Sequence, residues 1–442
     1  MLGRVILAGG GTGGHLFPGI AVYEELKRRE PELQTLFVGT ARGIETRVVP
    51  SLGERLECIE VAPLKGRSPQ QLLRNLTILP QAGLQAARIL RDFRPDLVIG
   101  VGGYAAGPMV LTARAMGVRT ALLEQNAHVG LTNRLLSRFV ERAYLSFEET
   151  RSQFPAAAAR VVGNPVRRQF VKVGHMARMD ASGFEMRARK ILVIGGSQGA
   201  KVLNEQVPIA LAQLDLRGAG IEVVHQTGHV MCETVRARYA ELGVNATVTP
   251  FIDDMAKAYA SAAVVVGRAG ATSLAEICAV GRPSVLVPFP LAADDHQWHN
   301  AQALQSRGAA EAIRESDLTP ERLASTLRTL ISQPEARRRM ADAARAMGRP
   351  DAAAAIVDDL CAWLGCASAD DSGETDDNEG GSEGDDLEEA TTRARAVAAR
   401  FPPGTEQRRD MALRRPRRAR HRSVAWSQAD RYYGTRAVAS AE

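Results

Sequence analysis

The stretch LAGGGTGGHLFPG, Leu7–Gly19, decides the reading of this chain. Five glycines fall within six positions (Gly9, Gly10, Gly11, Gly13, Gly14), His15 follows at once, and Pro18 comes three residues later. Before it lies the apolar run RVILAG, Arg4–Gly9; after it, IAVYEELKRR carries helical spacing. Gly9, Gly11 and Gly14 satisfy G-x-G-x-x-G at a strand-to-helix turn. That pattern brings backbone N–H groups close to a phosphate at a helix N-terminus. A dinucleotide fold also needs an acid at the end of the second strand to hold a ribose. Here TLFVG, Thr35–Gly39, runs into Thr40, Ala41 and Arg42, so NAD is disfavoured.

Outward from this turn the same alternation repeats. LECIEV (Leu56–Val61), LVIGVG (Leu97–Gly102), TALLEQ (Thr120–Gln125) and RAYLSF (Arg142–Phe147) read as further strands, mostly separated by helical stretches such as GLQAARILRDF. Continuously apolar strands joined by helices predict a parallel sheet covered on both faces. The pattern then restarts with KILVIGGSQGAKVLNEQVPIAL, Lys190–Leu211, again strand, glycine loop and helix. IEVVHQ (Ile221–Gln226), ATVTPF (Ala246–Phe251), AVVVGR (Ala263–Arg268), PSVLVPF (Pro283–Phe289) and AEAI (Ala310–Ile313) follow as strands, with closing helices over Pro320–Ser332, Pro334–Ala346 and Ala352–Trp363. The expected fold is α/β, two doubly wound Rossmann-like parallel-sheet domains in tandem. Their expected bounds are 1–163 and 190–366, with a linker over 164–189. The last helix is placed with the second domain or crossing back to the first. Ligands of such sheets sit at the C-terminal strand ends, so the cleft between domains is the expected site.

The bulk numbers agree with a globular protein of two or three domains: 442 residues, 45% hydrophobic and 24% charged. No apolar run is long enough to span a bilayer. MLGRVILAGGG lacks the long apolar region of a signal peptide and reads as a first strand. Five scattered cysteines fit a reducing compartment rather than a disulfide framework or a zinc site. The net charge of +6 hides a segregation: the charges from Asp370 to Glu389 are all acidic, and those from Arg393 onward are mostly arginine. Residues 367–442 therefore read as a charged, disordered tail.

The loops at equivalent strand ends carry the chemistry. They are GGYAAGP (Gly102–Pro108), EQNAHVGLTN (Glu124–Asn133), GGSQGA (Gly195–Ala200), GRAGATSLAEICAVGRP (Gly267–Pro283) and PFPLAADDHQWHNA (Pro288–Ala301). No D-x-D occurs, so a metal held on that motif has no support. Diphosphate charge would be met by loop amides and helix dipoles. His15 lies in the first turn of a helix, where the dipole disfavours the imidazolium. A neutral imidazole beside a cleft suits a general base.

The ordered set GGGTGGHLFP, GGYAAGP, EQN, VGNPVR, GGSQGA, FIDDM, AGATSLAE and DDHQ closely resembles the MurG family of bacterial UDP-N-acetylglucosamine glycosyltransferases of peptidoglycan synthesis, over roughly residues 1–365. The resemblance implies a GT-B fold and an inverting transfer of N-acetylglucosamine (GlcNAc) from UDP-GlcNAc to the 4-hydroxyl of the muramyl sugar of lipid I. It implies donor contacts at Thr12, Gly13, Gly14, Asn126, Arg167, Ser197, Ile252, the run Ala271, Thr272, Ser273, Leu274, Ala275 and Glu276, and Gln297. Acceptor diphosphate contacts fall at Gly10, Gly11, Gly102, Gly103 and Tyr104. His15 is the first candidate for the base, with His128 and Glu124 as alternatives. Neither cofactor nor metal is implied, and no nucleic-acid partner is expected.

A polyprenyl acceptor demands contact with a membrane surface. The expectation is a peripheral enzyme at the cytoplasmic face of the plasma membrane, with other cell-wall synthesis proteins open as partners. Leu72, Leu73, Leu76, Ile78 and Leu79, with Lys65, Arg67, Arg74 and Arg88 nearby, form a patch suited to anionic lipid. These leucines equally suit a domain core. The tail departs from the family's pattern. Two readings compete: another GT-B enzyme, either acting on a different acceptor or a hydrolysing UDP-GlcNAc 2-epimerase, and a nucleotide-sugar- or nucleic-acid-binding module that works through the basic tail.

Overall fold

The computed structural model describes residues 2–61, 78–181, 183, 187–196 and 198–365. Two all-parallel sheets organise it. The first has the order β3-β2-β1-β4-β5-β6-β7, from β1 (Arg4–Gly9), β2 (Gln34–Gly39), β3 (Arg55–Cys58), β4 (Leu97–Gly102), β5 (Arg119–Glu124), β6 (Arg142–Leu145) and β7 (Ala159–Val161). The second has the order β10-β9-β8-β11-β12-β13, from β8 (Lys190–Ile194), β9 (Glu222–Gln226), β10 (Ala246–Thr249), β11 (Ala262–Gly267), β12 (Ser284–Leu286) and β13 (Glu311–Ala312).

Alternation within each strand explains the unbroken apolar runs. Ile6, Leu36, Val98 and Leu122 enter a core on one face of the first sheet, while Val5, Phe37, Ile99 and Leu123 enter another on the opposite face. The second sheet divides likewise, with Val193 and Val266 on one side and Leu192 and Val265 on the other. A strand buried on both faces has no position where a polar side chain is cheap. The sequence reading missed β7. It is three residues long, and its last residue is exposed, which leaves no apolar run to recognise.

In both sheets the strand order reverses beside the first strand, between β1 and β4 and between β8 and β11. The crevice at such a reversal is where ligands bind, because the two connections leave in opposite directions. The loops after β1 and β4 are 10–12 and 103–105; those after β8 and β11 are 195–200 and 268–270.

The closing helix, Ala352–Leu364, packs on the first sheet. Ile356, Val357 and Leu360 are fully buried there, each burial contributing ~1.5–3 kcal/mol. Asp359 accepts hydrogen bonds from Arg142 Nε at 3.0 Å, Tyr144 OH at 2.7 Å and Arg160 Nε at 3.3 Å. The Trp363 ring lies under the guanidinium of Arg142 at 4.8 Å. Among the described residues no helix is long and apolar enough to cross a membrane.

Candidate active site

The glycine loop packs backbone against backbone. Gly9, Gly10 and Gly11 all take positive φ. Gly10 N–H donates to Gly102 O at 3.1 Å. A Cβ on Gly9 would strike Gly102 O, and one on Gly103 would strike Gly10 O. The two loops after β1 and β4 therefore meet only because both are glycine. A Cβ on Gly102 would stand 2.5 Å from His15 Nδ1, so this glycine also makes room for the imidazole.

The loop amides are not all open. Gly11 N–H donates to Glu45 Oε2 at 2.7 Å, and Glu45 Oε1 accepts from Thr40 N–H at 2.8 Å and Thr40 Oγ1 at 3.0 Å. This buried carboxylate ties the glycine loop to Thr40 at the end of β2. Gly10 and Gly11, expected at the acceptor diphosphate, thus already spend their N–H groups within the protein. At the start of the helix Gly13–Arg29, Thr12 is the N-cap residue and makes no side-chain cap bond. Tyr104, half-exposed, stands beside the loop after β4.

Pro18 lies inside that first helix. It has no N–H to give to the carbonyl four residues earlier, which is that of Gly14. Gly14 O instead accepts a hydrogen bond from Thr272 Oγ1 at 3.1 Å, a residue of the second sheet's helix Ala271–Val280. The proline-made gap is thus used to join the two halves across the cleft.

His15 is half-buried, and its Nδ1 lies 3.2 Å from Gln125 Oε1. Burial pushes its pKa below the ordinary value, opposed by the charge of Glu124 and the bond to Gln125, and reinforced by His296. The expected direction holds, but burial rather than the helix dipole is its first cause. Glu124 is buried and saturated. Its Oε1 accepts from Asn126 N–H and Nδ2, and its Oε2 from Gly130 N–H and Asn133 Nδ2. Its four bonds shape the loop Asn126–Gly130. His128 stacks on His299 of the helix His296–Gln305, with centroids 5.5 Å apart.

Across the cleft, Glu276 sits buried in its helix. Burial pushes its carboxyl up to about 7, against the pull of Arg167. Arg167 Nη2 donates to Glu276 Oε1 at 3.0 Å, and its guanidinium lies 4.8 Å from the Phe17 ring. Arg167 is therefore paired before any phosphate arrives. Ala271, Thr272, Ser273, Leu274, Ala275 and Glu276 form the first two turns of one helix, after the N-cap Gly270. Ile252 packs half-buried against the second domain's core. Gln297 Oε1 accepts from Phe289 N–H at 3.0 Å and Ala269 N–H at 3.2 Å, which leaves its NH2 for a ligand. Ser197 lies outside the described residues.

Three residues that the sequence reading did not single out complete the arrangement: Glu45, Gln125 and Asn300. Asn300 is fully buried. Its Oδ1 accepts from Ala127 N–H at 2.8 Å, and its Nδ2 donates to Asn126 Oδ1 and to Ala269 O, both at 3.2 Å. One amide therefore ties the loop after β5 to the loop after β11. A signal existed for Gln125, inside the quoted EQN, and for Asn300, inside the quoted PFPLAADDHQWHNA, but none for Glu45. Among the described residues no group of three or more His, Cys, Asp or Glu is arranged to hold a metal ion.

Comparison with known proteins agrees with this geometry. Residues 5–145 match the glycosyltransferase family 28 N-terminal domain, and residues 190–356 its C-terminal domain. A protein of Syntrophus aciditrophicus (strain SB), named UDP-N-acetylglucosamine–N-acetylmuramyl-(pentapeptide) pyrophosphoryl-undecaprenol N-acetylglucosamine transferase, is 47% identical over 361 residues, covering 82% of this chain and 99% of its own length. A protein of the same name from Anaeromyxobacter dehalogenans (strain 2CP-1 / ATCC BAA-258) is 51% identical over 356 residues, 80% of this chain and 91% of its own. The crystal structure of Acinetobacter baumannii MurG superposes with a TM-score of 0.67 at 34% identity, covering 80% of this chain and 98% of that one. A UDP-GlcNAc 2-epimerase from Neisseria meningitidis, at 14% identity and a TM-score of 0.57 over 82% of this chain and 100% of its own, shares the fold alone. With both domains matched and close relatives covered nearly end to end, the chain belongs to glycosyltransferase family 28 and shares the GT-B fold of the MurG transferases.

Proposed function

We infer that the cleft carries out the reaction its relatives are named for: transfer of GlcNAc from UDP-GlcNAc to lipid I, the undecaprenyl-diphosphate-linked muramyl pentapeptide, giving lipid II. The observation that carries this reading is the near end-to-end match to transferases of that name at 47% and 51% identity. The muramyl 4-hydroxyl attacks the anomeric carbon, the bond from that carbon to the diphosphate oxygen breaks, UDP leaves, and the hydroxyl proton passes to His15. Three features support His15 over the alternatives. It packs against Gly102 at the end of β4, burial lowers its pKa, and Glu124 has committed both oxygens to four donors.

The first domain serves the acceptor and the second the donor. Ile252 offers backbone groups to the uracil, Glu276 accepts from the ribose hydroxyls, and the diphosphate is assigned to Ser197 and Arg167. Asn126 and the free NH2 of Gln297 suit the sugar. Thr12, Gly13 and Gly14 present helix-start amides to negative charge. An acceptor diphosphate at Gly10 and Gly11 must displace the Gly102 carbonyl and the Glu45 carboxylate, so Gly102, Gly103 and Tyr104 are left as its easier contacts.

The enzyme is peripheral, at the cytoplasmic membrane face. Leu72, Leu73, Leu76, Lys65, Arg67, Arg74 and the side chains of Ile78 and Leu79 lie outside the described residues. The adjoining helix Ile78–Phe93 exposes Leu84 by 73%, with Arg88 one turn away. An apolar side chain beside a cation is what an anionic interface accepts.

The test is UDP release from UDP-GlcNAc with and without a lipid I analogue, in wild type and His15→Ala. Acceptor-dependent release that collapses in the variant, with donor binding kept, supports both the reaction and the base. Acceptor-dependent release kept by the variant moves the base to His128 or Glu124. Release without acceptor, with free N-acetylmannosamine formed, overturns the transferase reading.

A further inference from the structure

We propose that Gln125 is a positioning residue for this reaction: its side-chain amide fixes which nitrogen of His15 carries the proton. The proposal rests on the reading of His15 as the base. Gln125 is buried, and its Nε2 donates to the Val101 carbonyl at 2.9 Å. A carbonyl cannot donate, so this bond dictates the amide's orientation. The flipped amide would set two oxygens against each other. Gln125 Oε1 is thereby turned to His15 Nδ1 at 3.2 Å. An amide oxygen can only accept, so Nδ1 must carry the hydrogen. The neutral ring then holds its lone pair on Nε2, and that nitrogen is the one able to take a proton.

The chain of reasoning starts in the backbone. Val101 is the fifth residue of β4, and its carbonyl belongs to the rigid sheet rather than to a loop. Gly102, the next residue, leaves the space that the ring fills. A neutral amide in this position has a second consequence. A carboxylate there would also fix the tautomer, but it would stabilise the imidazolium and raise the ring's pKa. Gln125 orients the base through a neutral amide, which raises the ring's pKa less than a carboxylate would. The charged and titratable groups that face His15 are Glu124, on the same strand end, and His296, from the helix across the cleft. Glu124 raises the ring's pKa and His296 lowers it, while Gln125 is the hydrogen-bond partner of Nδ1 itself.

The experiment uses full-length protein labelled with 15N in the histidine rings, with His15 assigned by difference from His15→Ala. The expected wild-type spectrum has a protonated Nδ1 and a lone pair on Nε2 for His15. A protonated Nε2 in the neutral ring overturns the proposal, whatever the kinetics. Gln125→Met, of similar length, should mix the two tautomers and lower kcat by ~10- to 100-fold with donor KM within about twofold, a part of the ~10²–10⁴-fold that a general base contributes. Gln125→Glu should keep the Nδ1–H tautomer and move the acid limb of the pH–rate profile up by about one unit, since a carboxylate favours the imidazolium. A merely structural role would move neither the ring signals nor the limb, and unchanged values in both variants reject the assignment. Should Gln125→Met fail to fold, the wild-type ring signals still decide. Turnover kept in His15→Ala would overturn the base reading alone, because the tautomer is measured independently.

Discussion

Glu276 is held at the edge of ionisation. Its pKa near 7 is set by burial, and Arg167 keeps it from rising further. As pH falls through 7 the carboxylate gains a proton and loses the capacity to accept from two hydroxyls. KM for UDP-GlcNAc should therefore rise several-fold between pH 8 and pH 6, and Glu276→Gln should bind weakly at both. A pH series of donor KM in the two proteins checks this. The stability effect runs the other way. The folded pKa lies above the ordinary 4.5, so the unfolded chain loses its proton first, and this group's contribution falls as pH rises from 4.5 to 7. Gly102 is the other residue with a sharp consequence. It has φ +96° and faces the His15 ring, so Gly102→Ala carries both backbone strain and a clash. The expected cost is ~1–3 kcal/mol of stability, with turnover reduced at least tenfold through displacement of His15. Paired denaturation curves and turnover measurements separate the two effects.

At the scale of elements, β9 contains a histidine that is structural rather than chemical. His225 is fully buried between Tyr239 OH, 2.9 Å from Nδ1, and Asn204 Oδ1, 3.1 Å from Nε2. Asn204 Nδ2 already donates to Thr227 O, so its oxygen must accept from His225 Nε2–H. Burial pushes this ring down to about 3. A lowered histidine pKa means that the unfolded chain takes the proton first. Stability should then fall with pH below 6.5, by ~1.4 kcal/mol per unit from this group, until about pH 3. Urea denaturation at pH 7 and pH 5.5 should show that loss, and His225→Gln should remove about one kcal/mol of the difference.

For the whole molecule, several polar contacts among the described residues join the two halves across the cleft. Thr272 to Gly14 is one, and Asn300 to Asn126 and Ala127 is another. Asn300→Ala leaves the Ala127 N–H and the Ala269 carbonyl without their partner. Such a buried loss costs ~1–3 kcal/mol per group. A lower melting temperature and a several-fold higher donor KM are expected, measured by thermal unfolding and steady-state kinetics. The closing helix works at the same scale, since Asp359 gathers three donors from β6 and β7. Truncation after Gly365 keeps this helix and the length over which the relatives match. It should leave turnover within about twofold, and a large loss would assign the charged tail a part in catalysis.

The sequence by itself determined the architecture, because a strand buried on both faces must be apolar throughout and a strand-to-helix turn against a second loop must be glycine. The runs at Arg4–Gly9 and Leu97–Gly102 were legible residue for residue, and so was the restart at Lys190. The family was legible for the same reason, in the order of the loops. What only the tertiary structure decided is which polar atoms are already taken. Glu45 lies 34 residues from Gly11, Asn300 lies 173 from Ala127, and Gln125 lies 110 from His15. No local period connects such pairs, because each hydrogen bond ties a helix residue, Glu45, Asn300 or His15, to a loop or strand end that becomes its neighbour only when the helices pack on the sheets and the two halves meet. The glycines were visible as flexibility, but that they serve two touching backbones and a half-buried ring follows from the packing alone.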